Sequence, residues 1–220
     1  MIQRWSAAGL LAGTLCTAQP AVAGNQRYEP LAASVRAALH ASVADRASPR
    51  LSFLTVDQSE LWLAEMSGRL AKRMPDEQAR RDFLTTVRYE SMRAGLDPQL
   101  VLGVIDTESK FRKYAVSSAG ARGYMQVMPF WIDVIGKSEH NLFSLRTNLR
   151  YGCVILRHYL DIERGDLRRA LARYNGSLDK KSDYADKVVR AWQTRWGPQQ
   201  AGVTRVAAEP APMRYLGTLE

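Results

Sequence analysis

The chain has 220 residues and 46% hydrophobic content, enough to bury a core in one good-sized domain with additions. Its formal charge of +9 leaves two readings open: an anionic partner such as nucleic acid, a membrane surface or an acidic polymer, or an Arg-rich solvated exterior. Three scattered histidines, and no H-E-x-x-H, acidic calcium loop, phosphate loop or G-x-S-x-G elbow, give no basis for a metal site, a nucleotide site or a nucleophilic serine, so no cofactor is expected.

Residues 1–23 read as a secretory signal peptide. Arg4 supplies the positive start, Ala7 to Leu15 the apolar run, and Ala21-Val22-Ala23 a small-residue cleavage site before Gly24. That run is too short for a stable bilayer anchor, so no transmembrane segment is expected after cleavage. Only Cys153 then remains, which excludes an intrachain disulfide. Its helical spacing with Leu149, Leu156 and Leu160 marks a small buried hydrophobe.

Leu31 to Val43 is Ala-rich and helix-compatible, but Gly24 to Arg50 as a whole is expected to be poorly fixed. Asp57 to Met74 predicts a helix, with Asp57 and Glu60 at capping-box spacing and Leu61, Trp62, Met66, Arg69 and Leu70 facing inward. Pro75-Asp76-Glu77 opens another helix, which carries Phe83, Leu84 and Val87 inward and stops at Gly95. Asp97 and Pro98 then suit the N-cap and first position of a third. From Tyr114 to Tyr124 the helical period is lost, and Ser117, Ser118, Gly120 and Gly123 predict irregular backbone or a short hairpin.

Pro129 starts a short helix ending near Gly136. Thr147 to Arg164 is a long amphipathic helix, in which Gly152 suggests close approach of another backbone. Asp166 caps a helix bearing Leu167, Ala170, Leu171 and Tyr174, broken by Asn175-Gly176. Ser182 caps the last, with Tyr184, Val188 and Trp192 at helical spacing. The Ala- and Pro-rich end reads as a disordered tail. The expected fold class is mainly α, with one short irregular or β segment after the third helix.

That third helix carries the candidate chemistry. Val101, Val104, Ile105 and Glu108 share one face, so a carboxylate ends an apolar stripe. Partial desolvation there raises a carboxyl pKa, and a carboxylic acid still protonated near neutral pH can act as a general acid. The ordinary alternative is a helix-end carboxylate paired with Arg112 or Lys113.

Glu108-Ser109-Lys110-Phe111 resembles the E-S-x-F signature of the soluble lytic transglycosylase (SLT) family, which has a goose-type lysozyme-like fold. Ala115 to Gly123 resembles its A-x-S-x-x-G-A-x-G segment, and Tyr124 to Pro129 its L-M-Q-x-M-P, with Tyr124 where Leu is usual. Asn141-Leu142, Asn148 to Gly152, Ala170 to Gly176, and Tyr184 with Val188 resemble the later blocks, in the same order. The match runs roughly from Phe83 to Trp196. It implies a division into a signal peptide (1–23), an N-terminal helical extension (24–82), a lytic transglycosylase domain (83–196) and a tail (197–220).

The resemblance implies cleavage of the β-1,4 bond between N-acetylmuramic acid and N-acetylglucosamine in peptidoglycan, in the periplasm, with 1,6-anhydromuramoyl products. Glu108 would be the catalytic residue. Ser117, Met125, Gln126, Met128, Tyr174, Asn175 and Tyr184 would bind substrate or orient the acid. Ser117 and Gln126 also suit turn chemistry, and Met125, Met128, Tyr174 and Tyr184 also suit a core. Two residues from Glu108, Asp106 lies on the other helical face, and no acid occurs between Lys110 and Phe130, so a single-acid mechanism fits. The expected partner is a peptidoglycan strand, with a secretion or wall-synthesis complex as a further candidate. Nucleic acid is not expected. The alternatives are a hydrolytic goose-type muramidase and a non-catalytic wall-binding or assembly protein.

Overall fold

The computed structural model describes residues 26–44 and 56–197; the expected signal peptide and most of the expected tail lie outside them. The helices are α1 (Ala33–Val43), α2 (Val56–Leu70), α3 (Glu77–Arg93), α4 (Pro98–Glu108), α5 (Phe130–Ile135), α6 (Leu145–Ile162), α7 (Leu167–Asn175) and α8 (Tyr184–Ala191). A π-helical turn, Trp192–Trp196, continues α8. Strand structure among the described residues is reduced to two isolated antiparallel bridges, Val116 with Arg122 and Arg122 with Val127. The mainly α expectation holds.

The caps follow the sequence. Asp76 accepts from Ala79 N–H at 2.6 Å, Asp97 from Gln99 N–H at 2.7 Å, and Asp166 from Arg169 N–H at 3.0 Å. Gly176 ends α7 in the left-handed region, where a side chain would be strained. At α8 the sequence is read one residue early: Asp183 holds the N-cap position, while Ser182 Oγ accepts from Tyr184 N–H at 3.2 Å.

α6 is the central element. It is buried from Asn148 through Ile155 without a break, with α3 on one side and α7 on another. α4 packs against α3, α8 and the π turn. Gly103 permits the α4–α8 contact, because a Cβ there would meet Trp192 and the Val188 carbonyl at 3.1–3.2 Å. Cys153 is buried with Leu149, Leu156 and Leu160, and burial pushes its thiol well up.

Three local expectations change. Residues 31–43 are fixed rather than loose, because Leu31, Val35, Leu39 and Val43 recur every fourth residue and face the core, with α1 lying on α5 and α6. In α2, Leu61 is 71% exposed while Leu63 takes the inward position, so the buried stripe is Leu63, Met66 and Leu70. The close approach at Gly152 comes from a side chain rather than a backbone: a Cβ there would lie 2.3 Å from Met125 Sδ.

The core also holds a charge cluster that hydrophobic periodicity does not reveal. Glu90 of α3, 1% exposed, accepts from Arg150 Nη2 at 2.9 Å and Nε at 3.2 Å. Arg93 and Arg146 add ion pairs at 3.6 and 3.5 Å. Such a pair ties α3 to α6 in one register.

Candidate active site

Glu108 is the last residue of α4 and is 5% exposed. The apolar residues of its face, Val101, Val104 and Ile105, have no exposed surface, so the core fixes the direction of the carboxylate. Tyr184, the first residue of α8, donates its phenolic O–H to Glu108 Oε1 at 2.5 Å. Arg112 Nε donates to the Ser109 carbonyl at 3.0 Å, and Lys113 lies over the Tyr114 ring.

A second phenol completes the cluster. Tyr174 of α7 is fully buried and donates to the Met125 carbonyl at 2.8 Å. Burial holds both phenols well above their usual pKa. The charge of Glu108 adds to this in each case, and at Tyr174 a hydrogen bond from Gln26 opposes it. Both therefore remain neutral donors across the physiological range.

The backbone after Glu108 turns away sharply. Lys110 and Phe111 both lie in the left-handed region, at φ 53° and 64°, which costs non-glycine residues of order 1–2 kcal/mol each. Phe111 is held there by its ring, buried against Phe83 at 5.9 Å and Trp196 at 5.2 Å. The bend leaves Glu108 at an open helix end. Gln126, at φ 50°, is a third strained residue, on the far side of the loop.

The loop is fastened by Asn148 and Gly152 of α6. Asn148 Oδ1 accepts from Met125 N–H at 2.8 Å, while its Nδ2 donates to the Arg122 and Leu142 carbonyls, each at 2.8 Å. One helical turn later, Gly152 leaves room for the Met125 side chain. The spacing of Asn148 and Gly152 therefore has a mechanical reason: one residue pins the loop's backbone and the other receives its side chain.

Of the sequence-derived site residues, the structure brings Glu108, Tyr174 and Tyr184 together. Asn175 is buried beside Tyr174 at the end of α7. Ser117 is half-buried, and its Oγ accepts from Ala121 N–H at 3.1 Å, so it shapes the turn. Met128 is half-buried against the core. Met125 has no exposed surface, and so packs beneath the site instead of lining a groove. The Gln126 carboxamide donates to the Ala115 and Gly123 carbonyls at 3.1 and 3.0 Å and braces its own loop.

Asp106 points elsewhere, as its spacing predicts. It has no exposed surface and meets Arg195 at 2.9 Å, Trp196 Nε1 at 3.2 Å, Arg73 at 3.5 Å and Lys110 at 3.7 Å. Two residues that reach the site escaped sequence reasoning. Asn148 had a signal, its i, i+4 pairing with Gly152 on one helical face. Gln26, which holds Gln126 and Met128 from a distance of 100 residues or more, had none.

Residues 85–191, which include all eight sequence-derived site residues, match the family model described as Transglycosylase SLT domain. A transglycosylase of Enterobacteria phage PRD1 is 33% identical over 128 residues, 56% of this chain and 47% of that protein. Membrane-bound lytic murein transglycosylase C of Mannheimia succiniciproducens is 51% identical over 49 residues, 22% of this chain and 14% of that protein. A solved structure of an inactive mutant of the lytic transglycosylase Slt from Pseudomonas aeruginosa aligns with TM-score 0.39 and 19% identity, covering 64% of this chain and 27% of that one. The chain spans less than half the length of the curated relatives named here. With its family-specific blocks in order and the matched residues enclosing Glu108, Tyr174 and Tyr184, the chain carries a transglycosylase SLT domain across residues 85–191.

Proposed function

We propose that this protein is a peptidoglycan lytic transglycosylase that cleaves the β-1,4 bond between N-acetylmuramic acid and N-acetylglucosamine, with Glu108 as both acid and base. The observation that carries this is the buried Glu108 carboxyl, held at 2.5 Å by the Tyr184 hydroxyl at the end of an apolar helix face. The matched SLT domain and the murein-acting relative support the substrate class.

Neutral Glu108 gives its proton to the leaving glycosidic oxygen as the C1–O bond breaks. The Tyr184 hydrogen bond supports the carboxylate left behind. The substrate's own acetamido oxygen assists at C1. The muramoyl 6-hydroxyl then attacks C1 and returns its proton to Glu108, which closes the 1,6-anhydro ring and restores the acid. Having the nucleophile on the same sugar removes the entropic cost of capturing a second molecule. A two-carboxylate scheme lacks its second member here, because Asp106 is tied into a cationic cluster and no acid occurs between Lys110 and Phe130.

In this scheme Tyr184 and Tyr174 position the acid and its loop. Ser117, Met128, Asn175 and the backbone of Met125 and Gln126 form the substrate-facing wall. Residues 83–196 are the catalytic domain, 24–82 a helical extension and 197–220 a tail. A signal peptide at residues 1–23 would direct the chain to the periplasm and be cleaved off, with the glycan strand as partner and a secretion or wall-synthesis complex as a further candidate. No helix among the described residues is long and apolar enough to cross a membrane.

Mass spectrometry of digested peptidoglycan tests the proposal. Anhydro-ended muropeptides are expected. Products heavier by one water would mean a hydrolytic muramidase, and binding without release would mean a wall-binding protein.

A further inference from the structure

The segment Gln26–Glu29 lies outside the matched SLT residues, yet it bridges both walls of the candidate site. At one end the Gln26 carboxamide forms a paired contact with the loop. Its Nε2 donates to the Gln126 carbonyl at 3.3 Å, and its Oε1 accepts from Met128 N–H at 3.1 Å. At the other end, Arg173, the residue before Tyr174 on α7, reaches both Glu29 carboxylate oxygens at 2.9 Å. Between them Tyr28 meets Phe130 edge-on at 5.8 Å, and Arg27 pairs with Asp179 at 3.7 Å.

The chemistry of this contact is specific. A carboxamide and an acetamido group present the same pair of functions, one N–H donor and one carbonyl acceptor. A sugar's trans acetamido group points its N–H and C=O in opposite directions, so it would engage either the Gln126 carbonyl or the Met128 N–H, each of which Gln26 already occupies. The segment is also built unlike a permanent element of the core. Arg27, Tyr28, Glu29 and Pro30 are all exposed; only Gln26 is buried, at 3% exposure, and it is anchored by polar contacts. The outer ion pairs are half-exposed, and such pairs hold weakly and are screened by salt.

We propose that Gln26–Glu29 is a displaceable strap, whose Gln26 carboxamide occupies the backbone edge that would receive an acetamido group of an amino-sugar polymer, so that strap and polymer compete. The strap rests on the proposed function only in the choice of acetamido sugar as competitor. Substrate binding then carries the cost of opening the strap, and the apparent affinity falls by the fraction of molecules that are open.

The test is calorimetric binding of the β-1,4-linked N-acetylglucosamine tetramer to the full chain, to Gln26→Ala and to Glu29→Lys. Glu29→Lys loosens the strap through Arg173 without touching the loop, which guards against a folding defect in Gln26→Ala. At least one variant is expected to bind about three- to tenfold tighter than the unaltered chain. Hydrogen exchange at residues 26–31 of the unaltered chain should rise when the sugar is added. Binding that is no tighter in either variant, absence of binding in all three proteins, or exchange at 26–31 that does not rise overturns the strap. Peptidoglycan turnover is read separately. Its absence would sink the proposed function and leave the binding comparison to decide the strap.

Discussion

The Tyr184 hydroxyl meets Glu108 Oε1 at 2.5 Å across 76 residues of chain, from the first residue of one helix to the last residue of another. Because α4 ends and α8 begins at this point, Glu108 has no following turn of its helix and Tyr184 no preceding one. Glu108→Gln keeps the shape and can still accept from Tyr184, but it cannot donate and recover a proton. Release of muropeptides from purified peptidoglycan should fall by about 10²–10⁴-fold with the melting temperature preserved. Clearance at the wild-type rate would remove Glu108 from the mechanism.

Tyr184→Phe removes one hydroxyl from the same pair. With no donor to support the carboxylate that follows proton transfer, kcat should fall by about tenfold, roughly 1.4 kcal/mol, while KM stays close to wild type. A change confined to KM would make Tyr184 a substrate contact instead of a positioning residue.

Asn148→Ala should release the loop. Three hydrogen bonds at 2.8 Å are lost, leaving the Met125 N–H buried without that acceptor, at a cost of about 1–3 kcal/mol or more. Gly152→Ala should act from the other side, by driving a methyl into Met125 at a cost of about 1–3 kcal/mol. Urea unfolding measures both, and turnover should drop in both although neither residue touches substrate.

Glu90→Ala removes the buried carboxylate that Arg150, Arg93 and Arg146 share, while Arg150 keeps its contact to the Val43 carbonyl. Losing one member of a buried ion pair should cost about 3–5 kcal/mol of unfolding free energy. Glu90 bonds to α6 and not to Glu108, Tyr174 or Tyr184, so activity per folded molecule should change little. A stability loss well under 1 kcal/mol would mean that Arg150 finds water or another partner.

Stability should peak near neutral pH. Burial raises the pKa values of Tyr174 and Tyr184 far above normal and that of Tyr151 to about 12, whereas unfolded phenols titrate near about 10. Above about pH 10 the unfolded chain ionises first, so this contribution is complete below that pH and is lost as pH rises towards the native values. His158 sets the acid side. Burial lowers its pKa, so stability falls as pH drops below about 6.5, where the unfolded imidazole takes up its proton. Melting curves from pH 5 to 11 should show both limbs, with Tyr151→Phe flattening the alkaline one and His158→Gln the acid one.

Much of this protein is legible in local chemistry. Asp76, Asp97 and Asp166 announce helix starts because a short carboxylate satisfies free N–H groups wherever it occurs. Gly176 announces a stop, and the stripe of Val101, Val104 and Ile105 announces which way Glu108 faces. These are properties of a few consecutive residues. The same locality misled at Leu61, where Leu63 has an equal claim to face inward and only the position of α3 chooses between them. It also read Leu31 to Val43 as helix-compatible but poorly fixed, because alanines dilute the four-residue spacing of α1.

The carboxylate at the end of an apolar helix face was determined by the sequence alone, because spacing along one helix sets that geometry. Which groups meet the carboxylate was decided only by the tertiary structure. Tyr184 as its hydrogen-bond donor, Asn148 as the loop's fastener and Gln26 as the cover of the Gln126–Met128 edge are pairings between distant elements. Periodicity cannot encode them, since each depends on how α4, α6, α7 and α8 cross once their apolar faces are buried together.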